Sequence, residues 1–184
     1  LRPGSFFGSL RATPVVAEKS WGEFAAAEGE LPFQLKPGTR YAYADLSGPN
    51  GQFGTLDYSW PNPVYFCGRE ATLAELGLAD AAEKAALAKT VTAVKVSCPH
   101  CGGALELRAP DQTQRVACPY CRSLLDVNQG ELIYLKTLEP QRHTPILPLG
   151  ASAEFEGQKF TVIGFVVRAT RIEGKWWPWG EYLL

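Results

Sequence analysis

The clearest pattern along the chain is an alternation of apolar and polar residues, which is typical of β-strands. It begins at residues 40–48, pauses at a Pro-Asn-Gly turn at residues 49–51, and resumes at residues 52–60. Two alternating runs around an Asn-Gly turn predict a β-hairpin, and residues 63–70 predict a third strand beside it. Residues 1–30 show no clear period before Val15, so we expect an irregular entry segment there.

A short Ala-rich segment carries the signals of helix ends. Thr72 with Glu75, and Asp80 with Glu83, have the spacing of a capping box, in which the two side chains bond reciprocally to backbone N–H groups. Residues 71–89 are therefore predicted to form two short helices and to act as a linker.

Strand-like alternation returns in the second half of the chain, on both sides of a proline-rich spacer at residues 140–148. Gly, Pro and Asn-Gln-Gly breaks separate the runs, as expected for short strands joined by turns. Before the spacer the predicted strands are residues 92–96, 104–109, 114–118, 124–127 and 132–138; after it they are residues 151–156, 159–170 and 176–184. The sequence thus predicts a mostly β protein with helices at about 71–89.

Composition narrows the class of protein. The chain has 184 residues, of which 46% are hydrophobic and 20% charged, which fits a folded globular domain and excludes intrinsic disorder. The longest apolar run, Phe160 to Val167, is interrupted by Gly164 and is too short for a membrane helix. Pro3 and Gly4 lie where a signal peptide would need an uninterrupted apolar segment. We therefore expect a cytoplasmic protein without a membrane span.

The strongest motif is a pair of Cys-x-x-Cys knuckles, Cys98-Pro-His-Cys101 and Cys118-Pro-Tyr-Cys121, separated by sixteen residues. This spacing is typical of a zinc ribbon, in which each tight knuckle aims two thiolates at one tetrahedral ion. Four thiolates complete the coordination shell and leave no position for water, which predicts a structural Zn(II). Iron is also chemically allowed by a tetrahedral sulfur site and stands as the less favoured ion, and a redox role lacks the βαβ pattern of thioredoxins.

The remaining cysteine and the histidines carry weaker signals. Cys67 lies among apolar strand residues, so a buried and unreactive thiol is expected. His100 lies inside the first knuckle and His143 in the proline-rich spacer. Because four cysteines already complete the shell, neither histidine is predicted to be a metal ligand.

Charge argues against nucleic acid as the partner of the ribbon. The formal net charge of the chain is -1 and its pI is about 6.2. Between Cys98 and Leu125 three arginines oppose two acids, and a Zn(II)-tetrathiolate core adds two negative charges, which leaves the ribbon at about -1. Nucleic-acid binding therefore stands as the alternative to a structural or protein-docking ribbon.

An enzyme is the third reading, and no catalytic motif supports it: the sequence has no nucleophile elbow, phosphate-binding loop or metalloprotease helix. Asp45 and Asp57 would share a face of the hairpin if its loop has three residues, and would lie on opposite faces if it has two. Trp177 and Trp179 fall on one face of the last strand, where packing against the sheet is expected rather than an exposed binding surface.

Several segments together resemble a bacterial family in which a zinc ribbon precedes a β-rich domain of unknown function, number 4178. The ribbon segments are CPHCGG and CPYCRS, and the later ones are PLGASAEFEGQKFTVIGF and KWWPWGEYLL, at residues 98–103, 118–123, 148–165 and 175–184. Residues 28–33, 41–59 and 64–70 resemble the distal half of the same kind of domain. The resemblance covers most of the chain.

The order of these segments implies a domain organisation. Residues 1–80 correspond to the distal half of a first β-rich domain, residues 81–139 to a helical linker and the ribbon, and residues 140–184 to the proximal part of a second domain. With no Met in the sequence, this order is expected for a window of a tandem ribbon-domain protein. The closed metal shell and the lack of a catalytic motif in the sequence predict a non-enzymatic scaffold that docks another protein, and a homo-oligomer is a further alternative. The resemblance implies at most a supporting role beside membrane-associated proteins.

Overall fold

The structure is a computed structural model that describes residues 14–34, 38–76, 94–140, 144–155 and 157–184. Its fold is mostly β, as predicted. The strands are β1 (Val15–Leu31), β2 (Arg40–Ser47), β3 (Gln52–Asp57), β4 (Val64–Arg69), β5 (Val94–Ser97), β6 (Ala104–Leu107), β7 (Arg115–Ala117), β8 (Ser123–Asn128), β9 (Glu131–Thr137), β10 (Ser152–Phe155), β11 (Gln158–Thr161), β12 (Gly164–Ile172) and β13 (Lys175–Leu183). One 3-10 turn, Pro49–Gly51, joins β2 to β3.

The chain folds into two compact units, each built from segments that are distant in sequence. The described part of unit 1 comprises residues 14–23, 39–72 and 169–177, and that of unit 2 comprises the remaining described residues. Strands β1, β12 and β13 each contribute residues to both units. These units are discontinuous, whereas the division predicted from the sequence is linear; that division remains a prediction about domain organisation.

Unit 1 is an antiparallel sheet with the strand order β4-β3-β2-β1. The predicted hairpin is present, and Ser47 pairs with Phe53 while Asp45 pairs with Thr55. The backbone N–H of Gly48 donates to the carbonyl of Gln52 at 2.8 Å, so the loop between them has three residues, 49–51. This settles the register that the sequence left open. Strand β4 confirms the predicted third strand.

Strand β1 corrects the expectation of an irregular segment over residues 1–30. Residues 15–31 form one long strand, while residues 1–13 lie outside the described residues. Its sequence is rich in Ala, Gly and Glu, which have low strand propensity. The strand forms because β2, β7 and β12 all pair with it, so tertiary pairing overrides local preference.

Unit 2 contains the predicted ribbon as two antiparallel hairpins, β5-β6 and β7-β8, with β9 added beside β8. All five strands predicted over residues 92–138 are confirmed. Strand β7 also pairs with β1, since Glu30 lies opposite Val116. The ribbon core consists of the buried residues Cys98, Leu105, Leu107, Val116, Cys118 and Leu125. Within unit 2 the ribbon therefore has a hydrophobic core of its own, and it is connected to β1 by the pairing of β7 with that strand.

The strand predicted over residues 159–170 and the helices predicted over residues 71–89 differ from the structure or are only partly described by it. The single strand predicted over residues 159–170 is two strands, β11 and β12. The backbone changes partners between them, because Val162 still bonds to Ala151 whereas Ile163 bonds to Leu183 and Glu30. Of the two helices predicted over 71–89, residues 71–76 contain a turn at 73–76, and residues 77–89 lie outside the described residues. No helix in the described part of the chain is long and apolar enough to cross a membrane.

Candidate metal centre

The first knuckle is a tight turn between β5 and β6. The backbone N–H of Cys98 donates to the carbonyl of Gly103 at 2.8 Å, and the N–H of Gly102 donates back to Cys98 at 2.8 Å. Gly102 has a φ of 75°, a left-handed conformation that glycine adopts without a steric penalty. These two bonds fold residues 98–103 so that the side chains of Cys98 and Cys101 point to the same place.

The second knuckle repeats this backbone at residues 118–123, between β7 and β8. The N–H of Cys118 donates to the carbonyl of Ser123 at 2.9 Å, and the N–H of Arg122 donates to Cys118 at 2.9 Å. Arg122 occupies the position of Gly102 and has a φ of 61°. A residue with a Cβ is strained in this region by about 1 kcal/mol, so the knuckle geometry is imposed on Arg122 by its surroundings.

The four knuckle sulfurs form one cluster. The Sγ atoms of Cys98 and Cys121 lie 3.8 Å apart, as do those of Cys101 and Cys118. All four lie within 4.8 Å of one another. Zn–S bonds of about 2.3 Å in a regular tetrahedron require sulfur–sulfur distances of about 3.8 Å. A disulfide requires about 2.05 Å, and all five cysteines are free thiols, so the cluster is suited to a metal ion.

Two of the clustered cysteines hold their protons tightly without a metal. Burial raises the pKa of Cys118 to about 12, because the ribbon core surrounds its thiol. The backbone N–H of Gly103 lowers the pKa of Cys101, but the neighbouring Cys121 thiol and burial outweigh it, so the pKa is raised overall. Metal binding must therefore displace protons from these two thiols.

Cys121 differs because polar groups surround its sulfur. Burial raises its pKa, but hydrogen bonds from Ser123 and His100 outweigh burial and lower it to about 5. The Sγ atom lies 3.2 Å from Oγ of the fully buried Ser123, which in turn lies 3.0 Å from Nδ1 of His100. When Cys121 is a thiolate, the Ser123 hydroxyl donates a hydrogen bond to its Sγ, and the Ser123 Oγ can accept one from the Nδ1–H of His100. Both residues are therefore placed to support a ligand without being ligands.

The third residue of each knuckle packs on the opposite knuckle. His100 bonds to Ser123 and stacks on Tyr134 of β9, with ring centroids 4.9 Å apart. Tyr120, at the matching position, covers Gly103: a Cβ added there would lie 2.5 Å from the Tyr120 ring. Gly103 and Ser123 are the equivalent positions that receive these two rings. Each knuckle thus contributes one ring that packs on the other knuckle, in a nearly twofold-symmetric arrangement.

A buried glutamate that sequence reasoning missed fixes the loop between the two hairpins. Glu30 in β1 is 1% exposed, and its carboxylate accepts from the backbone N–H of Arg108 at 2.5 Å, that of Ala109 at 2.9 Å and the hydroxyl of Thr113 at 2.8 Å. Charge-assisted bonds of this kind are stronger than neutral ones. No local motif marks Glu30, since its three donors lie about eighty residues away. It ties β1 to the ribbon.

The other candidate residues are not part of the cluster. Cys67 is buried in β4, as predicted, and burial raises the pKa of its thiol. Asp45 and Asp57 share a face of the hairpin, but Asp45 accepts from the Thr55 hydroxyl at 2.7 Å and Asp57 from the backbone N–H of Ser59 at 2.7 Å. Each carboxylate therefore has a local structural bond. His143 lies outside the described residues.

Of the two tryptophans expected to pack against the sheet, Trp177 is exposed and Trp179 is partly buried. Trp177 is 56% exposed and Trp176 is 45% exposed. Trp179 is partly buried, and its indole N–H donates to Glu181 at 2.8 Å. Alternation along a strand fixes which side chains share a face, but the sequence does not show which face is covered.

No family model matches this sequence, and no curated protein or solved structure is significantly similar to it. The geometry of the described residues therefore carries the functional argument.

Proposed function

We propose that the protein binds one structural zinc ion through Cys98, Cys101, Cys118 and Cys121. The observation that carries the proposal is the set of sulfur positions, with two edges of 3.8 Å that match a tetrahedral Zn(II)-tetrathiolate site. An all-sulfur tetrahedron favours zinc or iron over magnesium and calcium. With four protein ligands the shell is closed, so the ion would stabilise the ribbon rather than activate water.

We further infer that the zinc-stapled ribbon is a non-enzymatic scaffold that docks a partner protein. Among the strands that the structure describes, β9 ends the order β1-β7-β8-β9, and an end strand presents unpaired backbone groups. Three consecutive apolar residues of β9, Ile133, Tyr134 and Leu135, are each more than 40% exposed. An apolar edge strand of this kind suits β-strand addition by a partner. The cysteine cluster is close to this strand, because His100, which lies between Cys98 and Cys101, stacks on Tyr134.

Metal analysis of the purified protein tests the first part of the proposal. We expect one zinc per chain, retained through dialysis, and a lower thermal midpoint after chelation at neutral pH, because metal-binding free energy becomes folding free energy. An unchanged midpoint in the chelated, metal-free protein would contradict a structural role. Visible absorption from an iron-thiolate centre would assign iron to the site instead.

A β9 variant tests the docking surface separately. Ile133→Lys places a charge on the exposed edge, and we expect it to abolish recovery of the protein that copurifies with wild type while zinc content stays unchanged. The matched control is Lys159→Ile, which changes an exposed residue of β11 in the opposite sense. Equal recovery by Ile133→Lys and wild type would exclude this edge as the docking surface.

A further inference from the structure

The strand register of unit 1 sorts charged residues onto opposite faces of the sheet. Pairing of Glu18 with Asp45, and of Tyr43 with Asp57, places all three acids on one face. Pairing of Lys19 with Ala44, of Glu23 with Arg40 and of Gln52 with Arg69 defines the other face. The second face carries three cations, Lys19, Arg40 and Arg69, against the single carboxylate of Glu23. A sheet that is close to neutral overall thus has one cationic side.

A cavity of about 340 Å³ opens on this cationic side of unit 1. It is lined by Glu23, Arg40, Ala169, Arg171 and Trp176. Two guanidinium groups and one carboxylate give the lining a formal charge of +1. The volume is at the lower end of the range for small-molecule sites.

Each arginine of the cavity lies over an indole ring. The Arg171 guanidinium lies 4.7 Å from the centroid of Trp176, and that of Arg40 lies 5.7 Å from the centroid of Trp21. A guanidinium above an indole ring keeps N–H groups that can donate to an anion. Within the described residues, neither arginine makes an ion pair or a hydrogen bond through its side chain. Two guanidinium groups, without an ion pair among the described residues, therefore border one cavity together with the carboxylate of Glu23.

We propose that this cavity binds the phosphate of a nucleotide, with the base against Trp176. Guanidinium groups match phosphate oxygens in bidentate geometry, and their stacking on indoles reduces the side-chain entropy lost on binding. Trp176 is 45% exposed, and the base would stack on the face of its ring that Arg171 does not cover; such stacking is sequence-tolerant. Glu23 provides an acceptor for an amino group on the base. The site is built entirely from unit 1 and is independent of the zinc proposal.

Binding of AMP to the zinc-containing full chain tests the inference. We expect saturable binding, measured by calorimetry and by Trp fluorescence, with a dissociation constant below about 1 mM. Inorganic phosphate and adenosine, which each supply half of the ligand, should bind at least about tenfold more weakly. A single-stranded dT oligomer distinguishes the sources of the phosphate: tighter binding per site than AMP assigns a strand, and weaker binding assigns a free nucleotide.

Variants separate the cavity from general electrostatic attraction. Arg171→Lys keeps the charge but loses the planar fork, and we expect it to weaken AMP binding about tenfold, with Arg40→Lys behaving similarly. Lys159→Ala removes one exposed charge in unit 2 and should leave binding unchanged. The absence of saturable AMP binding by wild type would overturn the proposal. Equal weakening by Lys159→Ala and Arg171→Lys, or adenosine binding as tightly as AMP, would overturn it as well.

Discussion

The two knuckles have the same backbone hydrogen bonds but differ in the two residues that follow the second cysteine. The first knuckle continues with Gly102 and Gly103, and the second with Arg122 and Ser123. At the first of these positions the backbone of both knuckles is left-handed, with φ values of 75° at Gly102 and 61° at Arg122. At the second, Gly103 receives the Tyr120 ring, whereas Ser123 supplies a buried hydroxyl.

This difference gives equivalent cysteines unequal acidity. The pKa of Cys101 is raised, with backbone bonding to Gly103 opposed by neighbouring thiols and burial. That of Cys121 is lowered to about 5, because bonds from Ser123 and His100 outweigh burial. One backbone motif can therefore hold two sulfurs at matching positions while neighbouring side chains set their charge. The predictions below test which properties the knuckles share and which they do not.

The largest effect is expected from removing one ligand of either knuckle. Cys98→Ser and Cys118→Ser should both abolish stoichiometric zinc retention, because structural zinc contributes about 10–16 kcal/mol in small ribbons. Zinc content and thermal unfolding measure the effect. Cys67→Ser is the control and should retain one zinc per chain. Full retention by either ligand variant would show that its knuckle does not hold the ion.

The pH dependence of zinc binding should reveal the unequal acidity. Near pH 7 Cys101 and Cys118 are protonated, because their pKa values are raised, whereas Cys121 is a thiolate. Zinc must then release at least two protons, so its affinity should rise about hundredfold per pH unit, and fall equally on acidification. Calorimetry in buffers of different ionisation enthalpy counts these protons.

The Ser123 hydroxyl provides the matched variant for this count. Ser123→Ala removes a bond that favours the Cys121 thiolate, so its pKa should rise and the number of released protons near pH 7 should increase. A count below two in wild type, or no change in Ser123→Ala, would contradict the proposed difference between the knuckles.

The placement of the two knuckles also depends on the loop between β6 and β7, and Glu30 holds this loop through three hydrogen bonds. Glu30→Gln should destabilise the zinc-bound protein by about 1.5–3 kcal/mol, because an amide NH₂ would face donors where a carboxylate now accepts. Denaturant unfolding measures the change, with exposed Glu154→Gln as the control. Similar stabilities of the two variants would show that the three bonds to Glu30 contribute little.

The smallest effects on stability are expected at the two left-handed positions, Gly102 and Arg122. Gly102→Ala should cost about 1 kcal/mol, because it introduces a Cβ at a positive φ although the space around it is open. Arg122→Gly should stabilise by less than about 1 kcal/mol, since relief of strain is partly offset by unfolded-state entropy. Gly68→Ala, at a glycine outside the left-handed region, controls for that entropy. Changes of the same sign at residues 102 and 122 would indicate different knuckle geometries.

Local signals predicted the ribbon and strands β2 to β4, but they missed β1. Strands β5 to β9 and the four clustered cysteines follow from turn residues, alternation and Cys-x-x-Cys spacing, all of which act over a few residues. Strand β1 was missed because its Ala, Gly and Glu residues have low strand propensity. Glu30 was missed because a buried carboxylate with distant donors has no sequence signature.

The sequence by itself determined the strands around the knuckles, the convergence of four thiols and the position of Cys67 inside a strand, because short-range geometry fixes each of them. Only the tertiary structure decided the three-residue loop that puts Asp45 and Asp57 on one face, the exposure of Trp177, and the pairing of β1 with β7 and β12. The register of a strand, and the face on which each side chain lies, depend on which distant strands pair. A register shift of one residue would move every side chain of the strand to the opposite face of the sheet.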